Sequence, residues 1–389
     1  MGTGAETQSK VAAAGGRFQW AQDLLARADV AINGGRPWDI QVHTPRLFRR
    51  VLLDGTVGLG EAYMDGWWDC DRLDEFFNRV LQARLSEQVG GIRLIAEYAR
   101  ARLTNVQRKS KAFEIGRRHY DLGNDLYQAM LDKRMVYTCA YWKTAHNLDQ
   151  AQEDKLDLVC RKLALRPRAG ARRVKVLDIG SGWGSFARFA SEKYGAEVVG
   201  ITVSREQVAL ADQLCAGLPV TTRLQDYRDL GGETFDRIVS LGMIEHVGCK
   251  NYRQFMAIAS QCLRNDGAML LQTIGSLRST TCTDPWINKY IFPNSMLPSM
   301  AQLTEAAEGF FVVEDIHNFG PDYDKTLLAW FANFDRNWPR LRHAYGDRFY
   351  RMWKYYLLMC AGSFRARHNQ LWQIVFSKRG VPGGYAPVR

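Results

Sequence analysis

A glycine-rich turn between a strand and a helix is the feature that most limits how this chain can fold. The segment VLDIGSGWGS begins as a short apolar run, reaches an acid at Asp178, and then places Gly180, Gly182 and Gly184 at alternate positions. Glycines in this pattern let the backbone turn sharply and come close to a ligand at the carboxyl end of a strand. The turn therefore predicts an α/β fold with a nucleotide-like cofactor bound at this point.

Strands and helices alternate from Arg173 onward. VKVLDIG, EVVGITV, FDRIVSLGMI and AMLLQTIG have strand character, and SFARFASEKYG is a predicted helix closed by Gly195. A turn at Asn265-Asp266-Gly267 is expected before the last of these strands. This alternation indicates a doubly wound, mainly parallel sheet with helices on both faces.

The spacing of the glycines distinguishes between cofactors. A dinucleotide fingerprint would need its third glycine at Ser185 and an acid at the end of the second strand, where this chain has Thr202. D-x-G-x-G-x-G after a strand instead resembles the first motif of methyltransferases that use S-adenosylmethionine. The other residues expected to contact that cofactor are Tyr137, Thr138, Thr202, Val203, Gln207, Asp226 and Tyr227.

Some of these residues have a specific expected partner. Thr202 and Gln207 are predicted to reach the ribose and methionine parts of the cofactor, and Asp226 to accept a hydrogen bond from the adenine amino group. A helix cap or turn residue remains the alternative interpretation of Asp226.

The remainder of the chain divides into an N-terminal part and a basic segment. Residues 1–16 are predicted to be disordered, and residues 17–97 to form a small α-rich domain. Residues 98–118 carry seven basic residues against one acidic residue, and residues 119–389 form the predicted catalytic domain. The basic segment is either a solvated helix face or a phosphate-facing linker, in which each Lys or Arg near an anionic surface contributes about 1 kcal/mol.

Charge and cysteine content limit the partners. The net charge of +11 favours an anionic partner, either nucleic acid or an anionic bilayer surface. Because stacking aromatics are not interleaved with the basic residues of the linker, nucleic acid is not the expected partner.

The eight cysteines lack CxxC or metal-type spacing, so they are expected to be reduced thiols and no metal site is predicted. With neither a spanning segment nor a signal peptide in the sequence, a cytoplasmic location is expected.

Many separate stretches resemble bacterial cyclopropane-fatty-acyl-phospholipid synthases. They run from about Phe18 to Lys378 and are GLGEAYMDGWWDCDRLD, HYDLGNDLY, YTCAYW, GSGWG, LQDYRD, GMIEHVG, DPWINKYIFPN, NFGPDYDKTL and CAGSFRAR. The resemblance implies a class I methyltransferase domain that transfers the methyl of S-adenosylmethionine to the cis double bond of a membrane phospholipid's acyl chain and closes a cyclopropane ring. It also implies a lipid-engaging N-terminal domain, peripheral association with the inner leaflet of the cytoplasmic membrane, and a homodimer.

Ring closure needs a base, and in this family the base is a bound bicarbonate ion. By resemblance, its cradle consists of backbone N–H groups at Cys139 and Ile274 and the side chains of Glu245, Gln272 and Tyr323. The family usually has His where this chain has Gln272. Because Gln donates an N–H but cannot carry a positive charge, we expect weaker bicarbonate binding or an altered pH profile, with Glu245 and bicarbonate sharing a proton.

The remaining candidates are a cysteine, a histidine and several aromatic rings. Cys360 matches a position labelled as an active-site cysteine in the family, but packing is the favoured interpretation because the cofactor is itself the activated electrophile. Cys139 is likewise interpreted as neither nucleophile nor metal ligand. His246 either orients substrate or is a satisfied polar residue. Aromatic faces can stabilise the carbocation left by methyl addition, or belong to the core, and the candidates are Tyr141, Trp142, Trp286, Tyr290 and Phe292.

Three alternative functions stay open at this point. One is a relative that stops at a methyl- or methylene-branched lipid, the second is a small-amine methyltransferase, and the third is an inactive lipid-surface protein. Agreement across the predicted cradle, except at Gln272, favours ring closure. The intact glycine turn and Glu245 argue against an inactive protein.

Overall fold

The structure is a computed structural model that describes residues 19–85, 123–166 and 172–389. The chain divides into two compact units, of which the first comprises Met1–Glu97 with Arg342–His368, and the second Tyr98–Leu341 with Asn369–Arg389. The predicted disordered N-terminus and the predicted basic linker lie outside the described residues.

The first unit is mainly helical in its described residues. Its two short strands pair in an antiparallel ladder, and its second helix bends at Gly55, where φ is 57°. Glycine adopts this conformation without the steric cost that a Cβ would impose. The elements are α1 (Gln19–Ala26), β1 (Gln41–Val42), α2 (Arg46–Met64), β2 (Trp68–Asp69), α3 (Leu73–Gln82) and α12 (Asp347–Arg365).

One helix belongs to a different unit from the one predicted. Sequence analysis placed all of residues 119–389 in the catalytic domain, whereas α12 packs against α2 and α3. The Tyr355 ring contacts the rings of Tyr63 and Trp68, and Arg351 donates hydrogen bonds to the carbonyl oxygens of both of these residues. An apolar helix face shows in a sequence, but the sequence pattern does not show which distant element covers it.

The second unit is built on a sheet whose seven described strands follow the order β5-β4-β3-β6-β7-β9-β8. Neighbouring strands from β5 to β7 are parallel, and β9 is antiparallel to both β7 and β8. The strands are β3 (Lys175–Ile179), β4 (Glu197–Thr202), β5 (Val220–Leu224), β6 (Phe235–Leu241), β7 (Leu263–Ser276), β8 (Val312–Asn318) and β9 (Asn369–Ser377). This arrangement confirms the predicted mainly parallel sheet.

Helices cover both faces of this sheet. Alternate side chains of β3 enter different cores, because successive residues of a strand point to opposite faces. Leu177 packs in a core with residues of α8 and α10, and Val176 in a core with residues of α5 and α6. The described helices of this unit are α4 (Asn124–Met130), α5 (Leu148–Lys162), α6 (Ser185–Tyr194), α7 (Arg205–Leu214), α8 (Cys249–Cys262), α9 (Pro285–Tyr290), α10 (Met300–Ala307) and α11 (Pro321–Tyr345), whose last residues are counted with the first unit.

Two local predictions in this unit had different outcomes. Gly195 ends α6 in a left-handed conformation with φ of 65°, as predicted. The turn predicted at Asn265-Asp266-Gly267 is wrong, because these residues are extended within β7. The register between β6 and β7 shifts just there, between Phe235 and Arg237, so an irregularity in pairing takes the place of a turn.

No described helix is both long and apolar enough to cross a membrane. The eight cysteines, which all lie among the described residues, are thiols rather than disulfides. Within the same residues, no group of His, Cys, Asp and Glu side chains could hold a metal ion.

Candidate active site

A pocket opens at the carboxyl ends of β3 to β6, beside the glycine-rich turn. Its lining includes every residue predicted to contact the cofactor except Gly184. Gly184 instead caps α6 with φ of 79°, and a Cβ there would lie 3.1 Å from the Cys215 sulfur. The predicted cofactor residues that the structure brings together are Tyr137, Thr138, Asp178, Gly180, Gly182, Thr202, Val203, Gln207, Asp226 and Tyr227.

The glycine-rich turn has a backbone that other residues would strain. Gly180 and Gly182 have φ values of 84° and 56°, in the left-handed region. A Cβ on Gly180 would lie 2.7 Å from Cγ of Met243. The N–H groups of Gly180 and Ser181 both donate to the carbonyl oxygen of Ile201, which fixes the turn against the end of β4.

Helix α5 holds the segment from Val136 to Trp142 against the pocket. Gln152 Nε2 donates to the carbonyl oxygens of Thr138 at 2.9 Å and Val136 at 3.3 Å, and Lys155 Nζ donates to Thr138 Oγ1 at 2.9 Å. Sequence analysis missed Gln152 and Lys155, although a signal was present. Both lie on the buried stripe of α5, where an amphipathic helix normally carries apolar residues.

Lys155 and Asp178 form a buried charged group in the pocket wall. Burial raises the pKa of Asp178 to about 7, with the positive charge of Lys155 opposing that rise. Burial also lowers the pKa of Lys155 to about 8, against the attraction of Asp132, Cys139 and Asp178. Oδ2 of Asp178 is buried and has no hydrogen-bond partner in the described part of the chain. The pocket therefore contains an acceptor that is suited to a cationic group of a ligand.

Two further pairs shape the other end of the pocket. The Thr202 hydroxyl donates to Gln207 Oε1 at 2.6 Å. The two residues predicted to contact the ribose and methionine parts of the cofactor are therefore hydrogen-bonded to each other. Asp226 accepts hydrogen bonds from the backbone N–H and the guanidinium of Arg228. Asp226 thus caps the short 3₁₀ turn Tyr227–Asp229 and also lines the pocket, so the two interpretations of this residue are compatible.

Glu245 and Ile274, two residues of the predicted bicarbonate cradle, contact each other directly. The Ile274 N–H donates to Glu245 Oε1 at 2.8 Å. The second oxygen, Oε2, is buried without a partner among the described residues. Burial raises the pKa of Glu245 to about 7, although the Ile274 N–H opposes this shift. The carboxyl group can therefore hold or release a proton near neutral pH.

Gln272 has a side-chain partner that sequence analysis did not identify. Gln272 and Gln373 lie directly opposite each other in the β7–β9 pair, and Gln373 Nε2 donates to Gln272 Oε1 at 2.9 Å. Gln272 is 1% exposed, and its Nε2 has no partner in the described chain. Because its oxygen is occupied by Gln373, Gln272 keeps its N–H donors for another group. Gln272 and Ile274 point to the same face of β7, since they are two residues apart.

Helix α11, which carries Tyr323, is hydrogen-bonded to the segment that contains Cys139. Thr326, one turn after Tyr323, accepts hydrogen bonds from the Ala140 N–H at 3.2 Å and from the Trp142 indole at 3.0 Å. Burial raises the pKa of the Cys139 thiol well above its ordinary value, so this sulfur is not a ready nucleophile.

The comparisons with known proteins agree with this geometry. Residues 107–374 match the model of the family described as mycolic acid cyclopropane synthetase. Cyclopropane-fatty-acyl-phospholipid synthase of Escherichia coli is 52% identical over 373 residues, which are 96% of this chain and 96% of that protein. The chain belongs to this family.

Two further proteins are similar at lower identity. Tuberculostearic acid methyltransferase UfaA1 of Mycobacterium tuberculosis is 33% identical, over 88% of this chain and 83% of the relative. The crystal structure of mycolic acid cyclopropane synthase CmaA1 complexed with SAH and CTAB has a TM-score of 0.62 and 33% identity, covering 68% of this chain and 98% of that one. The predicted class I methyltransferase fold is thereby confirmed.

The aromatic candidates differ in their position relative to the pocket. The Phe292 ring lies 6.4 Å from that of Tyr137 and 5.7 Å from that of His246, both of which line the pocket. Tyr141 packs its ring edge against Phe319 and His317. The Trp286 and Tyr290 rings contact each other with an angle of 38° between their planes, and the Trp142 indole N–H donates to Thr326 on α11. Tyr137 also contacts Trp330, a ring that sequence analysis missed.

The last two candidate residues, His246 and Cys360, belong to different units of the chain. His246 is in the pocket wall, and burial lowers its pKa to about 4, so it is neutral at physiological pH. Cys360 lies on α12, which belongs to the first unit.

Proposed function

We propose that this chain transfers the methyl group of S-adenosylmethionine to the cis double bond of a phospholipid acyl chain and closes a cyclopropane ring, with bicarbonate as the base. The observation that carries the proposal is 52% identity to a cyclopropane-fatty-acyl-phospholipid synthase over 96% of both chains. The pocket supports it, since ten of the eleven predicted cofactor residues line it together.

The pocket residues fit S-adenosylmethionine, which supplies an electrophilic methyl when it is bound. The glycine turn lets the backbone approach the ligand, and the unpartnered Oδ2 of Asp178 would receive its α-ammonium group. Thr202 and Gln207 would hold the ribose and methionine parts, and Asp226 the adenine amino group. These contacts orient the cofactor and exclude water, which an alkene needs because it is a poor nucleophile.

The residues near Glu245 fit a small anion that both donates and accepts hydrogen bonds. Buried Glu245 Oε2 and Gln272 Nε2 lack partners in the described chain, and such atoms are costly to leave unsatisfied. Bicarbonate would accept from Gln272 and share a proton with Glu245, because two neighbouring anions do not share a buried site cheaply. Tyr323 and the backbone at Cys139 would complete the cradle. The Ile274 N–H would reach the ion by exchange with Glu245, which holds it in this structure.

The aromatic rings beside the pocket would stabilise the carbocation formed by methyl addition. Tyr137, Phe292 and Trp330 form a connected group of rings, with centroids 5.2 to 6.4 Å apart. An aromatic face is worth about 2 kcal/mol or more to a cation when water is excluded.

The protein's partners follow from its charge and its proposed substrate. The net charge of +11 supports attachment to an anionic bilayer, at the inner leaflet of the cytoplasmic membrane. The first unit would engage lipid, and the basic linker would contact phosphate groups. A homodimer is also part of the proposal, on the basis of the family resemblance alone.

The test is incubation of purified protein with S-adenosylmethionine and vesicles of cis-unsaturated phospholipid, followed by mass spectrometry of the acyl esters. Gain of one methylene with loss of the olefin is the expected result. A methyl- or methylene-branched ester would favour the alternative of a lipid-alkene methyltransferase without ring closure, and methylation of an amine would favour the small-amine alternative. With cofactor binding intact, absence of any methylated product would overturn the proposal.

A matched variant pair shows whether the pocket is responsible. Asp226→Asn removes a charge from the pocket wall, and Asp229→Asn makes the same change three residues away, outside the pocket lining. Loss of cofactor binding in the first variant but not the second is expected.

A further inference from the structure

Lys155 is a buried cation that the proposed reaction does not use. It lies on α5, is 0% exposed, and lines the pocket together with Thr138 and Asp178. Its hydrogen bond to Thr138 Oγ1 is 2.9 Å long. An amine in such a place is costly unless an opposite charge or a ligand compensates for lost hydration. The position therefore calls for a functional or a charge-balancing explanation.

The acids around Lys155 supply that charge balance. Asp132 and Asp178 both attract it, and Asp132 already accepts backbone N–H bonds from Arg134 and Val136. Asp178 differs, because its buried Oδ2 has no partner in the described residues. Of the two acids, Asp178 thus has a free acceptor and lines the pocket.

We propose that Lys155 is a positioning residue of the cofactor pocket, which fixes Thr138 through a hydrogen bond and places a positive charge in the same pocket wall as Asp178, whose carboxylate receives the cofactor's α-ammonium group. This inference rests on the proposed position of the cofactor in the pocket. It adds a residue of α5, Lys155, that influences the ionisation of Asp178 at the end of β3.

The electrostatics of the free pocket agree with this role. Burial raises the pKa of Asp178 to about 7 even with Lys155 in place. Without the cation the carboxyl group would be neutral at pH 7 and would attract an ammonium group only weakly. Besides Lys155, Cys215 interacts with Asp178, while Asp132 and Cys139 face Lys155. The other titratable or charged side chains of the pocket wall are Tyr137, Asp226, Tyr227, Arg228 and His246.

The experiment measures binding of S-adenosylhomocysteine, which keeps the α-ammonium group, by calorimetry between about pH 6 and pH 8.5. Lys155→Met removes the charge at similar volume. If its loss raises the pKa of Asp178 by one unit or more, the Kd at pH 7 increases at least about five-fold and recovers as the pH rises. Two controls disturb Thr138 but keep the Lys155 side chain. Gln152→Met removes the bond to the Thr138 carbonyl, and Thr138→Val removes the acceptor of Lys155. Both are expected to weaken binding by a factor that does not depend on pH.

The outcomes separate this inference from the proposed function. If wild type does not bind S-adenosylhomocysteine, the proposed function is wrong. If wild type binds but Lys155→Met changes the Kd by one constant factor at all pH values, Lys155 is only a structural support and the inference is wrong.

A second variant covers the case in which Lys155→Met does not fold. Lys155→Gln also removes the charge but keeps an N–H donor for the Thr138 hydroxyl. The same pH-dependent increase in the Kd is expected, and a Kd that differs from that of wild type by one constant factor at all pH values would overturn the inference.

Discussion

At the scale of single residues, the site depends on carboxyl groups that burial makes hard to ionise. Glu245 and Asp178 are both buried, and the pKa of each is raised to about 7. Sequence analysis found both residues from their motifs. Their protonation depends on burial and on neighbours such as Lys155, which sequence analysis did not find.

Glu245 is expected to destabilise the fold at high pH. A carboxyl group whose pKa is raised by folding contributes stability fully below its unfolded pKa, and that contribution is lost as the pH rises through about 7. Glu245→Gln should therefore increase the free energy of unfolding at pH 8 by up to about 3 kcal/mol, and by less at pH 5, as measured by urea denaturation. The exposed Glu305→Gln is the control. A Glu245→Gln effect that is equal at both pH values would contradict the assigned pKa.

Gln272 is expected to limit bicarbonate binding. Gln272→His introduces a side chain that can carry a positive charge, and a charge-assisted bond would lower the Kd for bicarbonate roughly ten-fold. Gln272→Met, which lacks any N–H donor, should raise it. Line broadening of ¹³C-labelled bicarbonate by the protein measures binding, and turnover in carbonate-depleted buffer measures its use. Unchanged binding and turnover in Gln272→His would disprove the role assigned to this position.

Cys139 is expected to act through its backbone. Cys139→Ala keeps the backbone N–H and should retain turnover on phospholipid vesicles, with stability reduced by about 1 kcal/mol for the buried atom that is lost. Loss of all turnover while bicarbonate still binds would instead assign the thiol a chemical role.

At the scale of elements, tertiary packing determines which helix and which strand pair support the pocket and the residues around Gln272. Helix α5 was predicted neither as an anchor nor as part of the pocket, yet Gln152 and Lys155 fix the segment around Thr138. The β7–β9 pair sets Gln272 against Gln373. Both contacts depend on tertiary packing, because the partners are far apart in the chain.

Because α12 and α3 lie in close contact, we expect a glycine-to-alanine substitution on α12 to destabilise the protein, which is opposite to its usual effect in a helix. Replacing a glycine inside a helix by alanine normally stabilises a protein by about 1 kcal/mol. At Gly362, however, a Cβ would lie 2.4 Å from the carbonyl oxygen of Asp74. Gly362→Ala should therefore lower the free energy of unfolding by about 1 to 3 kcal/mol in a urea titration. Stabilisation by this substitution would show that α12 is not packed on α3 as described.

At the scale of the whole molecule, charge is expected to control contact with the membrane. The +11 net charge favours anionic vesicles, and salt screens such attraction over about 10 Å at 0.1 M. Co-sedimentation with anionic vesicles should fall as salt rises, whereas the small binding to zwitterionic vesicles should change little. A flat salt response would remove the role proposed for the basic linker.

The sequence by itself determined the class of fold and predicted ten of the residues that line the pocket. Alternating strands and helices follow from local periodicity, and the glycine turn from backbone sterics, so both are visible within a few consecutive residues. The quoted stretches were sufficient to recognise the family.

The tertiary structure alone decided how the site is held together. The contacts of Glu245 with Ile274 and of Gln272 with Gln373 join residues 29 and 101 positions apart, and α12 returns to the first unit. The protonation of Asp178 and the role of Lys155 likewise depend on which groups are buried together. Burial and long-range pairing are properties of the packed chain, because they are set by elements that meet only after folding.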